Sequence, residues 1–313
     1  MTTLLITAIG GDIAQGIAQI VRSAYPDWRL VGIDMHERHG GALYVDKYIA
    51  GRPASDPDYL EWLADIVMRE SIDICFPTAE AELLRLAQEA CTEVGGAILL
   101  MPPFEAIRVG TDKLETAAFV AGLGLPAPWT IAAEVADDST HFPCIFKPRR
   151  GAGSKGVFVC DTLEDARFFA ARFPRAVLQE LLLPADAEIT CAVYRTGGQQ
   201  TLVLQLLRQL VGGLSGWVEV VDDPRITVQC VALAEALDLR GGINVQLRLT
   251  SDGPRIFEIN PRFSSTSLLR HRMGFTDVVW ALEECHGRAI TPFQPAPGTR
   301  AVRTLNAALL DKI

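Results

Sequence analysis

Gln246, Glu258, Asn260 and Arg262 fall within one stretch, NVQLRLTSDGPRIFEINPRF, running from Asn244 to Phe263. Glu258 and Asn260 are two residues apart, so on a strand they share a face, and Gln246 on a neighbouring strand can join them. Three oxygen donors bearing a single charge suit magnesium held jointly with phosphates, because that ion keeps several waters and takes few carboxylates from protein. Arg262 follows at once, and its planar guanidinium suits a phosphoryl group. The plainer alternative is a solvated sheet face. It accounts for one carboxylate on a strand better than for the whole run E-I-N-P-R following N-V-Q.

The elements that must position these residues read as two strands and a turn. Asn244 to Leu249 alternates apolar and polar residues, Ser251-Asp252-Gly253-Pro254 is turn chemistry, and Arg255 to Ile259 resumes the alternation. A second pattern with phosphate chemistry spans Phe142 to Cys160, FPCIFKPRRGAGSKGVFVC. An apolar strand delivers Lys147, the loop Gly151-Ala152-Gly153-Ser154-Lys155-Gly156 follows, and Val157 begins a return strand. Glycines let backbone N–H groups approach phosphate oxygens, and the lysine supplies charge. The G-K-[ST] order and following helix of a Walker loop are missing, so a hairpin is expected.

Upstream, Thr3 to Ala8 is an apolar strand, Gly10-Gly11-Asp12 a turn, and a helix runs through Arg22. Leu30 to Asp34 is a second strand ending on an acid. Gly10, Gly11 and Gly16 do not follow G-x-G-x-x-G, so tight strand-to-helix packing without a dinucleotide is the better reading. A helix over Asp58 to Glu70, a strand over Ile72 to Phe76, a helix over Ala81 to Thr92 and a strand over Ile98 to Met101 continue the alternation. It predicts an α/β unit, a doubly wound parallel sheet covered on both faces, over residues 1–102. Its strand-end loops, Pro77-Thr78-Ala79-Glu80 among them, would face whatever the rest of the chain binds.

Further on, Thr111 or Asp112 caps a helix opening at Lys113. Helices are expected over Leu163 to Ala171, over Ile226 to Leu237 and from Phe275 to His286. Strands are expected over Ala176 to Leu182, over Leu202 to Leu207 and around Ala301 to Leu305. The glycine-rich segment Gln209 to Trp217, QLVGGLSGW, reads as a mobile loop over a site.

The chain resembles the ATP-grasp superfamily. The 244–263 stretch is similar to its metal-binding hairpin, and the continuation SSTSLLRHRMGF from Ser264 to Phe275 looks most like the carbamoyl phosphate synthetase large-subunit branch. Lys113, the Lys147 glycine loop, a hinge from Glu180 to Glu188, and the 246–262 cluster occur in the superfamily's order. The resemblance implies a pre-ATP-grasp Rossmann-like domain over 1–102 and an α+β ATP-grasp domain over 103–313. The latter would divide into a lid subdomain of about 112–182 and a catalytic subdomain of about 183–313, with ATP between them. Lys113, Lys147, Gly151, Gly153, Ser154 and Gly156 would hold the nucleotide, the chain from Glu180 to Leu182 would meet the adenine, and Glu188 the ribose. Gln246, Glu258 and Asn260 would hold Mg2+ or Mn2+, with Lys147 and Arg262 acting on the transferring phosphoryl group. Arg208, Arg270 and Arg272 are candidates for an acceptor pocket. Two departures are visible: Pro184-Ala185-Asp186 lengthens the hinge, and no aspartate stands near Ala192.

The activity so implied is an ATP-dependent carboxylate–amine ligase working through an acylphosphate and releasing ADP and phosphate. Its partners would be a small carboxylate, an amine and, at the family level, a second copy in a homodimer. Phosphorylation of bicarbonate or carbamate in the manner of carbamoyl phosphate synthetase is the first alternative, and a non-catalytic nucleotide-binding protein the second. A nicotinamide oxidoreductase would leave the 244–262 cluster unexplained.

Composition bounds these readings. At 313 residues the chain exceeds one usual core, so two or three domains are expected. Hydrophobic residues make up 49%, which marks a globular chain. With 38 acidic and 29 basic residues, a net charge of −9 and no extended basic block, nucleic acid is not an expected partner. No apolar run approaches the roughly 18 residues of a membrane span, and the N-terminus lacks the basic start of a signal peptide, so a cytoplasmic protein is expected. Seven scattered cysteines read as buried free thiols, and five histidines form no ligand pattern.

Overall fold

The strand β1 (Thr3–Thr7) is buried at every residue, as a central parallel strand covered on both faces must be. In the computed structural model, which describes residues 1–151, 153, 156–304 and 307–309, it is followed by α1 (Asp12–Ala24), β2 (Arg29–Asp34), β3 (Lys47–Ala50), α2 (Tyr59–Glu70), β4 (Ile74–Phe76), α3 (Glu80–Gln88), β5 (Glu93–Val94) and β6 (Ala97–Leu99). The sheet order is β3-β2-β1-β4-β6-β5, parallel except for the β5–β6 pair at one edge. The expected α/β alternation is present, with the two edge strands β3 and β5 added.

The glycine turn after β1 is closed over by the chain itself. Gly10 N donates to Asp34 Oδ2 at 2.8 Å, and a Cβ on Gly10 would stand 2.8 Å from both that oxygen and the His39 ring. Glycine is required here for close packing, as expected, with the His39 ring and the Asp34 carboxylate against it.

Two short helices, α4 (Phe104–Gly110) and α5 (Lys113–Gly122), lead to a four-stranded antiparallel sheet. Asp112 caps α5, its Oδ1 accepting from Leu114 N and Glu115 N. The sheet contains β7 (Thr130–Ala132), β8 (Cys144–Pro148), β9 (Phe158–Cys160) and, after α6 (Leu163–Ala170), β10 (Ala176–Glu180), in the order β7-β10-β8-β9. Its own small core is aromatic: the Phe158 and Phe169 rings stack at 4.1 Å beside Phe146 and Phe173.

The third sheet is antiparallel throughout. It comprises β11 (Glu188–Arg195), β12 (Thr201–Val211), β13 (Leu214–Val221), then after α7 (Pro224–Ala236) β14 (Gly241–Thr250) and β15 (Gly253–Asn260), and after α8 (Ser267–Arg272) and α9 (Asp277–Cys285) β16 (Arg300–Val302). The order is β15-β14-β11-β12-β13-β16. The strand expected around Ala301 to Leu305 is β16, and Leu305 lies outside the described residues. Ile189, Cys191, Val245 and Leu247 turn one face of this sheet onto Cys230 and Leu233 of α7. By the period of two, the opposite face carries Glu188, Thr190, Gln246 and Arg248 at one end and Ala192 and Tyr194 at the other. The latter end joins the core cluster that contains Leu4, Ile6 and Ile17, so that core passes without interruption from the first sheet to the third.

The segment Gln209 to Trp217 corrects the expected loop. It is the end of a hairpin in which β12 and β13 meet at Gly212-Gly213, with φ of 60° and 81°. Two successive residues of positive φ match a tight hairpin turn whose twist suits the strands. Among the described residues no helix is long and apolar enough to cross a membrane.

Candidate active site

A cavity of about 690 Å³ opens between the second and third sheets, floored by the polar face just described. The β14–β15 register places Gln246 opposite Glu258 and Asn244 opposite Asn260. Asn260 Nδ2 donates to Glu258 Oε1 at 3.2 Å, and all three expected metal donors line the cavity. A bulge in the ladder beside Gln246 pairs Leu247 with Ile256, so Phe257 has no opposite number. Bulges re-aim side chains, and here Phe257 and Glu258 both face the cavity.

Lys147 on β8 stands across from this floor. It is only 5% exposed, donates from Nζ to Gln179 Oε1 at 2.8 Å, and lies 5.5 Å from the centre of the Phe257 ring. Burial lowers its pKa to about 8, helped by Lys113 and opposed by Glu258 and Glu188. Lys113 reaches the same end of the cavity and donates to the Gly151 carbonyl at 2.8 Å. Gly151, Gly153 and Gly156 have φ of 117°, 76° and 72°, conformations that favour glycine, and the first two line the cavity. Ser154, expected on the phosphate, lies outside the described residues.

At the hinge, Glu180 lines the cavity with its carboxylate turned to Arg255 Nη1 at 2.6 Å. Leu182 also lines it, and its carbonyl accepts from Arg248 Nη1 at 2.9 Å. Glu188 is held by two guanidinium groups: Arg248 Nη2 donates to Oε2 at 2.7 Å and Arg208 Nε to Oε1 at 2.9 Å. Arg208 also donates to Gln246 Oε1 at 3.1 Å, which ties Glu188 to the group of Gln246, Glu258 and Asn260. Arg262 lines the far end and donates from Nη2 to Glu80 Oε1, 2.8 Å away on α3.

Arg270 corrects an expectation. It is fully buried beneath the cavity rim, bonded to Asp277 at 2.5 and 3.0 Å and to Ser264 and Thr266 at 3.0 Å each, and it does not line the cavity. Its hydrogen-bonding capacity goes to holding the Ser264–Thr266 turn, not to a substrate. Arg272 is exposed on α8, also away from the cavity. Arg248, Phe257 and Gln179 were missed by sequence reasoning. Arg248 had a signal, being two residues beyond Gln246 on the same strand face; Phe257 had none, because a bulge breaks the alternation.

A mostly parallel sheet followed by two antiparallel sheets that close on a cleft of lysines, glycines and one polar strand face defines the class: the ATP-grasp fold. A family model described as the ATP-grasp domain matches residues 110–266, half of the chain, and the chain belongs to that family. It is 24% identical over 196 residues to the carbamoyl phosphate synthase large chain of Methanoculleus marisnigri, an alignment covering 56% of this chain and 19% of that protein. The chain thus matches about a fifth of the length of that relative. Among solved structures, N5-carboxyaminoimidazole ribonucleotide synthetase from Thermus thermophilus superposes with a TM-score of 0.73 at 17% identity, covering 95% of this chain and 81% of that one. The biotin carboxylase domain dimer of Hydrogenobacter thermophilus 2-oxoglutarate carboxylase, in complex with MgADP, ADP and bicarbonate, gives 0.70 at 15%, covering 93% and 71%. The Staphylococcus aureus N5-carboxyaminoimidazole synthetase complexed with ADP gives 0.72 at 15%, covering 93% and 78%.

Proposed function

We propose that the chain is an ATP-dependent carboxylate–amine ligase that works through an acylphosphate. The observation that carries this reading is the convergence, in one cavity, of Lys147 and Lys113 on one wall with Gln246, Glu258 and Asn260 on the other and Arg262 at the end. In the proposal residues 1–102 form the pre-ATP-grasp domain and 103–313 the ATP-grasp domain, whose lid (about 112–182) and catalytic (about 183–313) parts hold ATP between them.

A carboxylate oxygen of the acceptor attacks the γ-phosphorus, the bond from that phosphorus to its bridging oxygen breaks, and ADP leaves with the electron pair. An amine nitrogen then attacks the acyl carbon, phosphate departs, and the amine loses a proton. Such phosphoryl transfer asks the protein chiefly for positioning and charge compensation. Lys147 supplies a buried positive charge for the α- and β-phosphates, and Arg262, whose Nη2 is held by Glu80, supplies its charge beside the transferring oxygens. The donor set fits magnesium: one carboxylate and two carboxamides, with Asn260 using its NH2 on Glu258, make a weakly charged site that needs phosphate oxygens to complete it. Glu258, Asn260 and Gln246 would hold the ion, which when bound would offset the negative charge of the phosphates. Gly151 and Gly153 on one side and Gly212 and Gly213 of the β12–β13 turn on the other line the cavity, and walls on both sides would shield an acylphosphate from water.

Release of ADP from ATP and magnesium across a panel of acids, with and without amines, tests the reading. Acid-dependent ADP that falls by roughly 100-fold or more in Glu258→Gln, with no AMP formed, is expected. Release with bicarbonate alone would move the reading to the carbamoyl phosphate synthase type, and absence of ATP binding would sink it.

A further inference from the structure

A second cavity, of about 470 Å³, lies on the other side of Arg262. It is bounded by the C-terminal ends of β4 and β6, by Gly241-Gly242 at the start of β14, and by α9. Ile13 and Arg262 line both cavities, so the two meet at this pair of side chains. Elsewhere the walls are mainly apolar, with Phe76, Leu100, Met101 and Phe263 prominent. The polar groups at the opposite end are already satisfied by one another: Tyr194 Oη donates to Glu284 Oε2 at 2.7 Å, and Gly197 N to its Oε1 at 2.9 Å.

We propose that this cavity receives the apolar body of the acceptor, which is therefore a carboxylic acid with a medium-length aliphatic or aryl-aliphatic chain. The inference rests on the ligase reading above. Three observations support it. Ligands of open α/β sheets gather at the carboxyl ends of the strands; here the β1 end is closed by His39 over Gly10, and the open space stands at β4 and β6. Its volume and lining are those of a small-molecule site, with two guanidinium groups at its edges, Arg240 largely exposed beside Asp238 and Arg262 where the two cavities meet. Of the two, only Arg262 also lines the first cavity; its Nη2 already holds Glu80 while its Nη1 makes only a 3.3 Å contact to the Phe263 carbonyl. A carboxylate against Arg262 with its chain in the second cavity presents an oxygen to the end of the first cavity, beside Asn260 and Ser264.

The test uses the full chain with magnesium. Calorimetry with a non-hydrolysable ATP analogue measures binding of acetate, butyrate, hexanoate, octanoate and 4-phenylbutyrate. ATP with hydroxylamine as the amine traps any acylphosphate as a hydroxamate. Two variants probe the cavity: Ala281→Trp fills it from α9, and Ile98→Glu, at a half-exposed position, puts a charge among its walls without disturbing the core. Affinity in the wild type is expected to rise about three- to fourfold per methylene. Both variants should weaken octanoate roughly tenfold or more and leave the affinity for ATP unchanged. Affinity independent of chain length, hydroxamate formed only from short or polar acids, or octanoate binding untouched by both variants would overturn the cavity assignment while the ligase reading survives. Chain-length-dependent, variant-sensitive binding without hydroxamate would uphold the cavity and overturn the ligase reading.

Discussion

Lys147 is the residue whose environment says most about the cavity. Taken out of water, its ammonium titrates near 8, well below the ordinary lysine at 10.5. The folded state therefore binds fewer protons than the unfolded chain between about 8 and 10.5, and by linkage this group's contribution to stability rises with pH across that window. Nucleotide phosphates act in the opposite direction by favouring the charged form. ATP binding at about pH 8.5 should then take up a fraction of a proton, and affinity should fall as pH passes 8. Calorimetry in two buffers of different ionisation enthalpy reads the uptake; Lys147→Met should abolish it, and an unchanged uptake in that variant would disprove the assignment. Glu82 offers an independent case on α3, where it packs between Thr7 of the first sheet and Tyr59 of α2. Its fully buried carboxyl is raised to about 7 by burial, although the hydroxyls of Thr7 and Tyr59 both donate to it and pull the other way. Here the folded state binds more protons than the unfolded between 4.5 and 7, so stability is present below 4.5 and is lost as pH rises through 7. Glu82→Gln keeps a hydrogen-bonding side chain without the titration. It should flatten that pH dependence, a difference of up to about 3 kcal/mol between about pH 4.5 and 8 in denaturant melts.

At the scale of elements, the hairpin of β12 and β13 brings its Gly212-Gly213 turn up to the glycine loop, where a Cβ on Gly213 would stand 3.6 Å from the Gly153 carbonyl. A β-branched residue at φ of 81° strains the turn by about 1–3 kcal/mol. Gly213→Val should weaken ATP several-fold through faster dissociation. Gly298→Val, with a similar φ of 83° but outside the cavity lining, should lower the melting temperature comparably and leave ATP alone. Equal nucleotide affinity in the two variants would remove the turn from the site. This hairpin also shows where sequence reading stopped. The composition of QLVGGLSGW suggested a loop, whereas the pairing of Leu210 with Ser215 and Gln209 with Trp217 makes it strand almost to the glycines. The floor of the cavity was legible, because Gln246, Glu258 and Asn260 obey the period of two on either side of a recognisable turn. Phe257 was not, since one unpaired residue shifts the phase. Arg270 was misread for a different reason: a basic residue close in sequence to the cluster carries no sign that Asp277, on the following helix, already holds it.

At the scale of the whole molecule, the sequence suggests a division near residue 102 that the hydrophobic core does not respect. Leu4, Ile6 and Ile17 from the first part share one buried cluster with Leu204, Leu206, Val218 and Phe275 from the last. Arg262 to Glu80 and Tyr25 to Glu283 add polar ties across the same junction. Separating the two parts would expose apolar side chains worth about 1.5–3 kcal/mol each on burial, a loss comparable with the whole stability of an ordinary domain. The second sheet is different, because its aromatic core of Phe146, Phe158 and Phe169 is its own. Calorimetric unfolding of the intact chain should therefore show the first and third sheets melting in one transition, with any separate, lower transition confined to the second. Hydrogen exchange resolves which is which: amides of β1 and β11 should open with the same free energy, and those of β8 with that energy or less. A fragment of residues 103–313 should be insoluble or molten. A well-folded 103–313 fragment, or distinct opening energies for β1 and β11, would show that the shared core does not couple them. The second cavity lies within this junction, between β4, β6 and α9. Its volume therefore depends on the two parts folding as one, and a substrate bound there would raise the melting temperature of both together.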